Sequence, residues 1–129
     1  MALKLKKPLK LTHIKAKGIV RDGMSALQLV FENGIESPLF DGGQQGTTEL
    51  ETFEVPDRPV TRITGTSGGA HISRIILTFE DNQHVTVFPQ SKEVPKYDIE
   101  VPPKHAIVGI YGTYNYKFIG RLGFIVMPQ

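Results

Sequence analysis

The stretch Gly65 to Gly69, GTSGG, spells the Gly-x-Ser-x-Gly string of serine hydrolases, and His71 follows closely. That chemistry needs a strand feeding a helix, so that Ser67 stands on a strained elbow. Here the string joins two strand-like runs, so a hairpin loop accounts for both the glycines and the nearby histidine. His13, His71, His84 and His105 are scattered without the ligand spacing of a zinc site. The acids show no pairing that marks a general acid and base. No glycine loop opens a helix to cradle phosphate. The expectation is a protein that is not an enzyme and carries no metal or cofactor. The remaining candidate is aromatic. Tyr114, Tyr116, Lys117 and Phe118, with Tyr111 just before them, crowd one loop region. Loop tyrosines supply amphipathic contact area at low entropic cost, so these residues are a candidate contact surface. The alternative is that two of the aromatic residues point into the core or cover one end of the fold.

The elements that must position these residues are strands. Thirteen glycines and nine prolines punctuate short apolar runs rich in β-branched residues, and helical periodicity is weak. Three stretches can be superposed: Leu11 to Gly34, Val60 to Asn82 and Ile107 to Val126. Each begins with a short strand ending at Ile14, Ile63 or Ile110, then reaches a glycine, the evenly spaced Gly18, Gly65 and Gly112. A second strand follows with matched apolar positions: Leu27, Ile75 and Leu122; Leu29, Leu77 and Phe124; Phe31, Phe79 and Val126. Their period of two turns them to one face. Between the hairpins, FEVPDRPV parallels IEVPPKHAI, and candidate strands lie around Ile35 to Phe40 and Val85 to Phe88. The chain thus reads hairpin, pair, hairpin, pair, hairpin: ten strands, with an eleventh open at the N-terminus. No hairpin can bury its apolar face alone, so the three are expected to close around a common axis as antiparallel Greek-key sheets.

This pattern resembles the jacalin-related lectins from about Lys10 onward. The resemblance implies an all-β fold, the type I β-prism: three antiparallel Greek-key sheets with pseudo-threefold symmetry, here with one sheet short of a strand unless the N-terminus supplies it. In that family, sugar sits at the end of the prism, between a glycine loop and a loop carrying Gly-x-x-x-Asp. A carboxylate accepts hydrogen bonds from sugar hydroxyls, and glycines let backbone amides come close. The third hairpin departs from the motif, because Tyr116 stands at its glycine and Gly120 at its aspartate. The first Greek key keeps more. DGGQQGTTEL offers Gly42 and Gly43, and GIVRD, Gly18 to Asp22, fits the motif as a string, although the apolar pattern puts Ser25 at the aspartate position. The candidate carbohydrate site implied by the resemblance is therefore Gly18, Asp22, Ser25, Gly42 and Gly43.

Composition narrows the partners. A chain of 129 residues suits one domain spanning 1–129, with a hydrophobic fraction of 40%. Cysteine is absent, so there is no disulfide framework. A net charge of +2 gives no reason to expect nucleic acid or an anionic membrane. MALKLKKPLK is too polar for a signal peptide or anchor; its lysines alternate with leucines, as in a strand with a wet face. The reading is a cytoplasmic protein, or a domain cut from a longer one. Two functions follow: a glycan-binding module for a mannose- or glucose-like sugar, or a β-prism that has lost sugar binding. The second would meet a protein partner or its own copies through an exposed sheet edge, or serve as a structural subunit without a ligand.

Overall fold

The computed structural model describes residues 8–19, 23–41, 49–66, 72, 74–87, 95–115 and 118–129, the side chains at 19, 66, 95–97, 115 and 118 excepted. Ten strands run in chain order: β1 Leu11–Ile19, β2 Gly23–Phe31, β3 Phe40–Asp41, β4 Glu51–Glu54, β5 Val60–Thr66, β6 Arg74–Phe79, β7 His84–Val87, β8 Pro95–Glu100, β9 His105–Asn115 and β10 Phe118–Pro128. They form three antiparallel sheets, ordered β3-β2-β1-β4, β7-β6-β5-β8 and β10-β9. The first two are Greek keys of identical topology. The third has two strands among the described residues.

The repeat extends to register. Ile14 faces Leu29, Ile63 faces Leu77 and Ile110 faces Phe124. The first strand of each hairpin carries an extra residue at the same place: Thr12, Thr61 and Val108. A bulge bends its strand and strengthens its twist, which turns a flat hairpin into one side of a prism. The threonine bulges are satisfied alike. The Thr12 and Thr61 hydroxyls donate to the Val30 and Thr78 carbonyls at 3.1 and 3.3 Å. Their own carbonyls accept from the Val55 and Val101 amides at 2.8 and 2.9 Å. The parallel between FEVP and IEVP therefore has a structural basis: each valine ties its linker onto a bulge.

Two readings need correction. Gly65 faces Ile75 and Gly112 faces Leu122, but the residue facing Leu27 is Ala16. Gly18 lies two positions further on and its even spacing with the other glycines is coincidental. The strand expected around Ile35 to Phe40 shrinks to Phe40–Asp41. Pro38 has no amide to give to a ladder. Ser37 substitutes, its hydroxyl accepting from the Leu29 amide at 3.0 Å while its own amide donates to the Leu29 carbonyl at 2.9 Å.

The core lies where the three hairpins meet. Ile14, Leu27, Leu29, Ile63, Ile75 and Leu77 have no exposed surface, while Leu122 and Phe124 of the third hairpin are half-buried against the same cluster. At one pole, equivalent residues join through the main chain. The Met24 amide donates to the Ile72 carbonyl, and the Ile72 amide to the Ile119 carbonyl, each at 2.7 Å. Buried amides need such partners, and here they lock one sheet to the next.

Candidate functional site

The ends of β1, β2 and β3 converge at this same pole. Ser25, at the family's aspartate position, sits in a second bulge, since Lys17 faces Ala26 and Gly18 faces Met24. Gly120, its equivalent in the third hairpin, is skipped in the same way between Ile119 and Arg121. The Ser25 side chain is turned inward with no exposed surface, and its hydroxyl donates to the Lys17 carbonyl at 3.4 Å. Gly18 is also buried. Asp22, Gly42, Gly43, Tyr116 and Lys117 lie outside the described residues, as do Ser67, His71 and the side chain of Phe118.

Among the described residues, what the pole presents to solvent comes from Lys17, Phe40 and Asp41, which were not among the candidates, and from Tyr114, which was. Lys17 Nζ meets Asp41 Oδ2 at 3.5 Å, with each side chain roughly three-quarters covered. Asp41 directly precedes the Gly42-Gly43 pair. Beside it, the rings of Phe40 and Tyr114 stack with centroids 4.4 Å apart and planes 17° from parallel. This stack links the first Greek key to the end of β9, so the third hairpin lends an aromatic wall to the first. Burial, and after it the nearby Asp41 carboxylate, hold the Tyr114 hydroxyl above its ordinary 10.0, so it remains a neutral donor. Tyr114 keeps 40% of its surface exposed. A half-covered ring, a carboxylate and an ammonium group together offer a platform for an apolar sugar face with acceptor and donor at its rim. The signals available in sequence were the aromatic residue Tyr114 and the Asp-Gly-Gly string. Lys17 and Phe40 gave none.

No protein-family model and no curated protein matches the sequence. Solved structures do match. Jacalin, in its complex with T-antigen, aligns with a TM-score of 0.68 over 92% of this chain and 92% of its own, at 12% identity. The fold is that of the jacalin-type lectins. A mannose-binding jacalin-related lectin from Ananas comosus aligns at 0.61 over 99% of this chain and 89% of its own, at 22% identity. PirB aligns at 0.72 over 99% of this chain at 13% identity, and this chain spans 31% of PirB. Such identities speak for the jacalin fold alone.

The sheets of this jacalin fold differ on their outer faces. The first carries Lys15 with Glu36, and the second carries Arg62 between Asp98 and Glu100. The third instead exposes Tyr111, Ile125 and Met127. Tyr111 lies over Gly123, where an added Cβ would strike its ring, and Ile125 reaches over Gly109.

Proposed function

We propose that the chain is a non-enzymatic, lectin-like binding module whose glycan site lies at the pole of the first Greek key. In this reading, Tyr114 offers its exposed ring to the apolar face of a mannose- or glucose-like pyranose. Asp41 and Lys17 take its hydroxyls, and the Gly42-Gly43 loop and Asp22 complete the rim. The observation that carries the reading is the Lys17–Asp41 pair beside the Phe40–Tyr114 stack, with Gly42 and Gly43 following Asp41 in the chain. The inward Ser25 positions the hairpin and leaves ligand contact to its neighbours. Affinity of such a shallow site falls in the millimolar-to-micromolar range, about −4 to −8 kcal/mol. Titration of the amide NMR spectrum with methyl mannoside and methyl glucoside tests it. Shifts at Lys17, Asp41, Gly42, Gly43 and Tyr114, weakened about tenfold in Asp41→Asn, support it; no shift at these residues with either sugar rejects it.

The third sheet supports a second reading, in which sugar binding is lost and the prism joins another chain. Its two described strands expose Tyr111, Ile125 and Met127, and its inner residues Leu122 and Phe124 are only half-buried. Concentration-dependent association that Ile125→Lys abolishes favours this reading. A monomer at high concentration that recovers no partner from extract counts against it.

A further inference from the structure

We propose that the open edge of β10 takes up an extended acidic segment of another protein as an added strand, an inference that rests on the reading in which the prism joins another chain. In the first two sheets a further strand lies beyond the second strand of the hairpin, β3 beyond β2 and β7 beyond β6. There Phe40 faces Leu27, Val87 faces Ile75 and Val85 faces Leu77. Leu27, Ile75 and Leu77 have no exposed surface. Their counterparts on β10, Leu122 and Phe124, face no described strand on that side and are half-buried. Among the described residues, the backbone amides and carbonyls along this edge of β10 have no ladder partner. Such an edge is a template for another strand, and proteins guard it with short strands, proline or charge. β3 has two residues and follows Pro38, and β7 has four. β10 has 11, and its outer face carries the exposed Ile125 and Met127. A lipid surface would leave the open backbone groups unpaired, whereas a peptide strand pairs them.

Charge selects the partner. Residues 101–129 hold Lys104, Lys117 and Arg121 and no Asp or Glu, so all 13 acids precede them. On the first two sheets cations are answered, Lys15 by Glu36, Lys17 by Asp41 and Arg62 by Asp98 and Glu100. Arg121 is exposed and meets no carboxylate among the described residues. Register shows where an acid belongs. Leu122 is the counterpart of Leu27, so Arg121 is the counterpart of Ala26, and the residue facing Ala26 on β3 is Asp41. A strand added in that register sets apolar side chains opposite Phe124 and Leu122 and an acid opposite Arg121, where unlike charges attract across the pair. A second copy of this sheet brings no acid to that position. Neither do residues 1–7, whose charged side chains are Lys4, Lys6 and Lys7.

Amide NMR titration of the full chain with the end-capped peptide EEVTVDEE, and with KKVTVKKK as the basic control, tests the proposal. Antiparallel to β10, the two valines face Phe124 and Leu122 and the aspartate faces Arg121. The expected result is saturating shifts from Arg121 to Ile125, with the acidic peptide about tenfold tighter than the basic one. Arg121→Glu is expected to reverse that order and Arg121→Gln to narrow it, so the variants are read as a change of preference and not as lost binding. A basic peptide bound as tightly as the acidic one, or an order unchanged in folded Arg121→Glu, would overturn the acidic partner and leave standing the reading in which the prism joins another chain. Self-association through β10 that shuts out both peptides would give the edge to a second copy and overturn the proposal likewise. Absence of shifts on β10 with either peptide would also overturn it, and a monomer that recovers no partner from extract would then remove the broader reading as well.

Discussion

Tyr114→Ala probes the seam between the first and third sheets and the proposed sugar platform in one experiment. With 40% of Tyr114 exposed, the rest of its surface is covered, on the order of 120 Å² for an aromatic side chain. At roughly 25 cal/mol per Å² that burial is worth about 3 kcal/mol as an upper bound, since the unfolded chain already hides part of the ring. The stack with Phe40 lies within this figure and contributes about 1 kcal/mol of it. A loss of about 2 kcal/mol is therefore expected on urea unfolding, with the slope unchanged. Tyr114→Phe keeps the ring and should recover most of it. The same pair of variants separates packing from binding. Tyr114→Ala should weaken a bound mannoside five- to tenfold, about 1 kcal/mol, and Tyr114→Phe should restore whatever part the ring face supplies. A stability loss below about 0.5 kcal/mol in Tyr114→Ala would refute the packing argument. Unchanged sugar affinity in a folded Tyr114→Ala would remove Tyr114 from the site.

Leu29 and Leu77 are fully buried equivalents, so Leu29→Ala and Leu77→Ala should each cost about 3–5 kcal/mol, and each variant should still unfold in one transition by circular dichroism. Separate transitions for the hairpins would contradict a shared axis. Gly112→Ala would drive a Cβ into the Arg121 carbonyl, and melting should show a loss of about 2–3 kcal/mol. Gly123→Ala meets only the ring of Tyr111, which is 62% exposed and can swing away, so its cost should stay below about 1 kcal/mol. The raised Tyr114 hydroxyl means that the folded chain keeps this proton when the unfolded chain has released it. The stability it contributes is complete below 10.0 and is lost as pH climbs from there through the folded value. Ultraviolet titration should show a late-ionising tyrosine that is lost in Tyr114→Phe and ionises earlier in Asp41→Asn, which removes the second cause of the shift.

The axis was legible because burial on one face of a strand leaves a period of two. Ile14 with Leu29, Ile63 with Leu77 and Ile110 with Phe124 pair as the alignment of the three stretches implies. The linkers were legible as repeated strings, though not the reason for them, which is a hydrogen bond onto a bulge. Bulges themselves leave no mark in the sequence. They add a residue without changing composition. Gly18 passed for the counterpart of Gly65 and Gly112 for a different reason, the even spacing of the three glycines, where register makes Ala16 the counterpart. The exposed part of the candidate site was hidden for another cause. Phe40 and Tyr114 are distant in the chain and belong to different sheets, and no local pattern encodes a contact across that seam. Lys17 carried no signal in the sequence, and only the fold brings Asp41 to it.

The amides and carbonyls that couple Met24, Ile72 and Ile119 belong to groups every residue but proline possesses. A clasp of that kind is indifferent to which apolar side chain hangs from it. Any apolar side chain that fits the core leaves the two bonds in place, so that shape can outlast spelling. Proline at position 24 or 72 would strip out one rung and is the substitution this clasp cannot absorb.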